Sequence, residues 1–411
     1  MKLNEQGLRN IPFSPPDITQ AEINEVIDTL KSGWITTGPK TKELERRLSS
    51  YTSTNRTVCL NSATAGLELV LRVIGIGPGD EVIVPAMTYT ASCSVITHVG
   101  ATPVMVDIQE NSFEMDYDAL ENAITEKTKV IIPVDLGGIP CDYDRLYSIV
   151  ENKRSMYKAG NNKWQQLFSR VVILSDSAHS LGAIYKGKSS GSLADFTSFS
   201  FHAVKNFTTA EGGCVTWKPR IDLNDDEMYK ELQIYSLHGQ TKDALAKTQL
   251  GSWEYDIAVP GYKCNMTDIM AGIGLIQLER YPNLLKRRKE IIEKYDNSFR
   301  NTAIIPIAHF SENSHSSMHL YITHLHGFNL EQRNEVIQKM AEAGIACNVH
   351  YKPLPLLTAY KNLNFDILDF PNAFKYYENE LTLPLHTKLS DEDIDYIITK
   401  LKEIVERILG V

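Results

Sequence analysis

Val171-Val172-Ile173-Leu174-Ser175-Asp176-Ser177-Ala178-His179-Ser180 and, a little further on, Phe196-Thr197-Ser198-Phe199-Ser200-Phe201-His202-Ala203-Val204-Lys205-Asn206 are the stretches on which the reading of this chain turns. Each opens on a short apolar run and ends in small and polar residues, the pattern of a strand buried on both faces. Similar runs recur outward from them at Thr57 to Leu60, Val82 to Val84, Pro103 to Asp107, Val130 to Val134 and Cys214 to Trp217, separated mostly by helical stretches. That alternation predicts an α/β fold, a mostly parallel sheet flanked by helices on both sides.

Around this unit the pattern changes. Before it, Ile23, Val26, Ile27 and Leu30 mark an amphipathic helix that stops at Gly33. Residues 152–169 are polar and weakly patterned and read as a surface insertion. A helix is expected over Asp268 to Arg280, and Pro282, suited to a first helical turn, is expected to start another that runs to about Phe299. Strand-like Leu320 to His324, a helix over Leu330 to Ala343, strand-like Ile345 to His350 and a final helix opened by Ser390-Asp391-Glu392-Asp393 then form a small α+β unit. The domain reading is a large unit over 1–282 and a small C-terminal unit over 283–411.

Ligands of open α/β sheets sit at the carboxyl ends of the strands, so the polar residues there carry the chemistry. After the first strand, Asn61-Ser62-Ala63-Thr64-Ala65-Gly66 leads into a helix whose free amides and hydroxyls suit a phosphate; an ordinary N-cap is the plainer explanation. Tyr89, after the second strand, can stack on a flat heterocycle or simply pack. Asp176 ends a buried strand, where a carboxylate is costly without a cation, and a protonated pyridine nitrogen is such a cation. His179, three residues on, is placed to bond a phenolic oxygen of the same ring, unless it is a core histidine. Lys205 lies between a strand end and Gly212-Gly213, where burial favours the neutral amine that Schiff-base formation needs, and Ser198 or Ser200 can add a hydroxyl to the phosphate site. Phosphate cradle, carboxylate and amine together are what pyridoxal 5′-phosphate (PLP) requires. The 29-residue step from Asp176 to Lys205 makes the combination specific.

Composition narrows the alternatives. A net charge of −9 and a pI near 5.7 give no electrostatic footprint for nucleic acid. No apolar leader opens the chain and no run of apolar residues is long enough to span a bilayer, so a cytoplasmic protein with no membrane partner is expected. The six cysteines are scattered singly and read as small buried hydrophobes. His309, His315, His319, His324 and His326 crowd together without a metal-ligand spacing, and no metal is expected. Gly75-Ile76-Gly77-Pro78-Gly79 precedes a strand where a nicotinamide fingerprint would follow one, and reads as a turn.

The chain resembles the DegT/DnrJ/EryC1/StrS family of sugar aminotransferases, a branch of the fold-type I PLP enzymes, nearly end to end. The resemblance rests on Gly33-Trp34-Ile35-Thr36-Thr37-Gly38-Pro39, Asn61 to Gly66, Gly100 to Asp107, Asp176-Ser177-Ala178-His179, Ser200 to Asn206, Glu211-Gly212-Gly213 and Pro260 to Asp268. Within the family it is most similar to enzymes that aminate C4 of UDP-linked 4-keto sugars, the 4-amino-4-deoxy-L-arabinose type. It implies that Lys205 carries the cofactor, Asp176 binds the ring nitrogen, His179 contacts the ring oxygen and Tyr89 stacks on the ring. Ala63, Thr64 and Ser200 would hold the phosphate, joined by Asn265 or Lys263 of a second subunit in a homodimer with shared active sites. Thr36, Thr37, Gly38 and Pro39 would line the sugar pocket, and L-glutamate would give the amine, leaving as 2-oxoglutarate. The competing readings are a C3 aminotransferase on a dTDP-keto sugar and a non-catalytic PLP-binding regulator. A sugar dehydratase of the same family would carry histidine in place of Lys205.

Overall fold

The computed structural model describes residues 9–110, 112–242 and 254–410. Seven strands build the main sheet: β1 (Thr57–Leu60), β2 (Glu81–Pro85), β3 (Thr102–Val106), β4 (Thr128–Ile131), β5 (Val172–Asp176), β6 (Phe196–Ser200) and β7 (Gly213–Trp217). Their order is β1-β7-β6-β5-β4-β2-β3, and β7 alone runs against the rest. Helices cover both faces, which is why the strands read as continuous apolar runs. The fourth strand stops short of its expected end: Pro133 has no amide to give the ladder, and its carbonyl instead accepts Asp176 N at 2.9 Å.

A second, three-stranded antiparallel sheet, β8 (Ile304–Pro306), β9 (Tyr321–Leu325) and β10 (Glu380–Leu383), carries the C-terminal part. The closing helix, Asp391–Leu409, starts at a capping box of Ser390 and Asp393 and buries Ile394, Ile397, Ile398, Leu401, Ile404 and Val405 on one face. Ile345 to His350 does not form a strand; it makes only isolated bridges, Ile345 to Ile11 and Asn348 to Thr382. The N-terminal segment therefore lies on the C-terminal unit.

One helix, Asp268–Phe299, replaces the expected pair, with Pro282 inside it. Its early residues Ala271, Leu275 and Tyr281 pack with β-sheet residues Phe199 and Cys214, and its later ones, Ile291, Ile292, Tyr295 and Phe299, pack with Tyr321 and Leu383. Packing on both sides of the proline compensates for the one missing backbone bond. We propose the boundary of the two units at 282/283, within this helix, and the changeover of packing supports it. Arg288, in the second half of this helix, is buried and donates to the carbonyls of Met318, His319 and Leu385.

Two other expectations change. In 152–169, residues 163–168 form a helix that puts Trp164 and Phe168 into the main core. Asn162 and Gln165 donate to the Val73, Ile74 and Gly75 carbonyls, so polar residues here finish another helix. The Gln20–Ser32 helix turns Glu22 and Thr29 inward, against the long helix, and leaves Ile23, Ile27 and Leu30 exposed.

The register of β5 against β6 is pinned by Asp195, whose buried carboxylate takes Arg170 at 2.7 and 2.8 Å and Ile173 N at 2.9 Å. Removing one partner strands the other charge in the core. Asp195→Ala is expected to lose about 3–5 kcal/mol, whereas Asp118→Ala, at an exposed pair with Arg145, loses less than about 1 kcal/mol. Thermal midpoints of the two variants check the contrast.

Candidate active site

The carboxyl ends of β1, β2, β5 and β6 and the start of β7 converge on a cavity of about 400 Å³. Asp176 forms one wall. It is 5% exposed; Oδ2 accepts Ser92 Oγ at 2.6 Å and Oδ1 accepts Ala178 N at 3.1 Å. Burial pushes its pKa up, and the two hydrogen bonds together with the charge of Lys205 pull it back. Lys205 faces it from the turn after β6, where Lys205 N bonds His202 O at 2.9 Å. Desolvation holds this amine at about 8, against the opposing pull of Asp176. The neutral form is thereby far more populated near neutral pH than in an ordinary lysine.

At the other end of the cavity stands the N-terminus of the helix Ala63–Val73. Ser62 is the N-cap expected on the plainer reading, its hydroxyl accepting Ala65 N at 3.1 Å. The Ala63 and Thr64 amides precede any intrahelical partner and point their partial charge outward. The helix can stand this close to the sheet because of two glycines. A Cβ on Gly213 would fall 2.5 Å from Ala63 N, and one on Gly66 2.5 Å from Ser198 Oγ. Ser200 lines the cavity; Ser198 does not, its hydroxyl being spent on the Ala63 carbonyl at 2.9 Å.

His179 also lines the cavity, buried. Gly137 N donates to its Nδ1 at 3.2 Å, so a neutral ring carries its proton on Nε2, 3.2 Å from the Tyr351 hydroxyl. Burial first, and the charge of Lys205 after it, hold the imidazole pKa well below its usual value. Tyr89 stands at the mouth, 59% exposed, its ring 5.8 Å from that of Tyr351.

Phe13, Ser14, His319, Asn348, His350 and Tyr351 line the same cavity from the N-terminal segment and the C-terminal unit. The sequence reading missed them in this role. His319 was legible only as one of a histidine cluster, and His350 only as the end of a strand. The structure disperses that cluster: His309 bonds Ser316, His319 bonds Asn206 and His324 bonds Asn379. No group of three or more potential ligands gathers among the described residues.

Thr36, Thr37, Gly38, Pro39, Lys263 and Asn265 do not line this cavity. They form a cluster of their own: Asn265 Nδ2 donates to Thr37 Oγ1, Lys263 Nζ donates to Asn265 Oδ1 at 2.7 Å, and Gly38 N donates to Asp268 at 2.8 Å. Asp268 also accepts Lys40 N at 3.0 Å and Thr41 N at 2.9 Å, fixing the start of the helix Pro39–Thr52.

An amine set against a buried carboxylate, with free helix amides to one side, matches the aldehyde, ring nitrogen and phosphate of PLP; the residues present fit that cofactor. Fold and site define a PLP-dependent aminotransferase. The DegT/DnrJ/EryC1/StrS aminotransferase family model matches residues 16–402, and the chain belongs to that family. It is 37% identical to the spore coat polysaccharide biosynthesis protein SpsC of Bacillus subtilis, over 96% of this chain and 97% of that one. The PLP form of the candidate sugar aminotransferase Spr1654 from Streptococcus pneumoniae superposes with a TM-score of 0.94 at 69% identity, over 97% of this chain and 100% of that one. A form of that protein with PMP gives 0.95 at 71%, over the same shares. Helicobacter pylori PseC, an aminotransferase of pseudoaminic acid biosynthesis, gives 0.85 at 27% identity, again over 97% and 100%.

Lys205→Ala is expected to fold normally and to lose covalent retention of PLP, read as loss of the bound cofactor's visible band after gel filtration. Because covalent capture needs the neutral amine, its rate in the cofactor-free protein should rise with pH through about 8 and then level off. A rise that continues to the usual lysine range would contradict the depressed value.

Proposed function

We propose that this enzyme transfers an amino group from L-glutamate to C4 of a nucleotide-linked 4-keto sugar, with UDP as the nucleotide, in the making of a surface glycan. The observation that carries the reading is the Lys205 amine facing the Asp176 carboxylate in one cavity at the strand ends. The relatives support the substrate class: spore coat polysaccharide biosynthesis for SpsC, sugar amination for Spr1654 and pseudoaminic acid biosynthesis for PseC.

PLP, when bound, would supply the carbonyl that carries the amino group between substrates and the electron-withdrawing ring. The chain does the rest. Asp176, kept ionised, holds the proton on the ring nitrogen. His179, with its proton on Nε2, donates toward the ring oxygen, and Tyr89 covers the ring face. The Ala63 and Thr64 amides with the Ser200 hydroxyl hold the phosphate. Lys205, as a neutral amine, would serve as the general base that removes the proton from the substrate carbon.

The enzyme is further proposed to work as a homodimer in the cytoplasm, each subunit lending Thr36–Pro39 and Asn265 or Lys263 to the other's cavity. Three facts support this: those residues stand apart from their own cavity, Ile18, Ile23, Ile27, Leu30, Ile35 and Tyr262 are exposed nearby in sequence, and no described helix is long and apolar enough to cross a membrane.

The test is a panel of UDP- and dTDP-linked 4-keto and 3-keto sugars with L-glutamate as donor, the aminated product followed by mass spectrometry. A UDP-4-keto sugar should be aminated. Amination of dTDP-3-keto sugars alone would overturn the position and the nucleotide, and turnover of none of them by PLP-loaded protein would favour a binding regulator.

A further inference from the structure

Asp176 has to remain a carboxylate while nearly all of its surface is removed from water, and among the described residues no arginine holds it. Lys205 is the cation acting on it, yet that amine is itself partly discharged by burial. What touches the carboxylate directly is Ala178 N at 3.1 Å and, closer, Ser92 Oγ at 2.6 Å. Ser92 sits in the first turn of the helix Thr90–His98, behind the cavity wall, and is fully buried. Its hydroxyl lies 2.8 Å from Thr88 Oγ1, also buried.

Donor bookkeeping gives this pair a direction. An ionised carboxylate only accepts, so the single proton of Ser92 goes to Asp176 Oδ2. The contact between Ser92 and Thr88 must then run from the Thr88 hydroxyl to a lone pair of Ser92. Each bond polarises the next, strengthening the last one onto the charge.

We propose that Ser92 is a positioning residue for the cofactor: fed by Thr88, its hydroxyl fixes the Asp176 carboxylate and keeps it ionised, so that the ring nitrogen is held in its protonated form. The inference rests on Asp176 as partner of the ring nitrogen and not on the identity of the sugar. The titratable groups facing Asp176 are Lys205 on the turn after β6, Tyr351 from the C-terminal unit and, three residues along its own turn, His179. The Ser92 hydroxyl bonds Asp176 and Thr88 and not these groups.

The experiment measures the PLP dissociation constant of the full chain against pH, by titration of the cofactor-free protein, for wild type, Ser92→Ala, Ser92→Thr, Thr88→Val and Asp176→Asn. The limb of the profile that lies below the Lys205 transition at about 8 reports ionisation of Asp176. Loss of a hydrogen bond to a charged group corresponds to about one to two pH units, so Ser92→Ala should move the acid limb upward by that much. Ser92→Thr, which keeps the hydroxyl, should leave it near the wild-type position, and Thr88→Val should move it in the same direction by less. Asp176→Asn should remove the limb. A limb that stays in place in Ser92→Ala while Asp176→Asn removes it would overturn the role of Ser92. Weakening of Ser92→Ala by one factor at every pH would also overturn it, since that is a packing effect. A limb unchanged in Asp176→Asn would instead overturn the assignment of Asp176. Matching thermal midpoints of the cofactor-free variants establish that folded proteins are compared.

Discussion

A carboxylate placed where water cannot reach it is the constraint around which this molecule is arranged. Asp176 is buried at the end of β5, and the desolvation of its charge, the larger effect, is offset in part by aligned donors and by a lysine held opposite. That balance is unfavourable for a protein with nothing to bind and useful for one that must hold a protonated ring. The same burial lowers the pKa of Lys205, so one physical condition acts on both the acid and the amine.

Keeping the two side chains opposed requires strands that cannot slip. The buried Arg170–Asp195 pair ties the entrance of β5 to that of β6, and the pairing of Asp176 with Ser198 follows. A second buried acid, Asp135, works on the turn after β5: it accepts the Ser177 and Ser180 hydroxyls at 2.9 and 2.7 Å, on either side of His179. The two glycines that admit the helix Ala63–Val73 to the sheet make the third fixed distance, from the amine to the open amides. These supports lie outside the cavity, and none has chemistry of its own.

One face of the chain departs from the usual pattern of burial. An amphipathic helix ordinarily buries its apolar stripe. Here the Gln20–Ser32 helix presents Ile23, Ile27 and Leu30 outward and docks through Glu22 to Gln277 and Arg280. Apolar surface left in this way supports the proposed interface between copies.

Much of this was legible in the sequence, because strands buried on both faces and helix caps are written in local patterns. The seven strands of the main sheet, the mostly parallel arrangement, the final helix and its cap, and the placing of Ser62–Thr64, Tyr89, Asp176, His179, Ser200 and Lys205 at strand ends could be read from one stretch at a time. Local patterns do not reveal direction or distance. They gave the stripe on the N-terminal helix without showing that it faces outward. They gave Trp164 and Phe168 within a polar stretch without showing that the stretch is folded into the core, and Pro282 as a start where packing on both sides carries the helix through. Ser92 and Tyr351 carried no signal at all, since a serine in a helix and a tyrosine in a loop are ordinary until folding brings them within bonding distance of Asp176 and His179. The sequence determined which groups stand at the ends of the strands, because periodicity and capping are properties of neighbouring residues. Only the tertiary structure decided how those groups are charged and oriented, because burial and hydrogen bonding are set by residues far away along the chain.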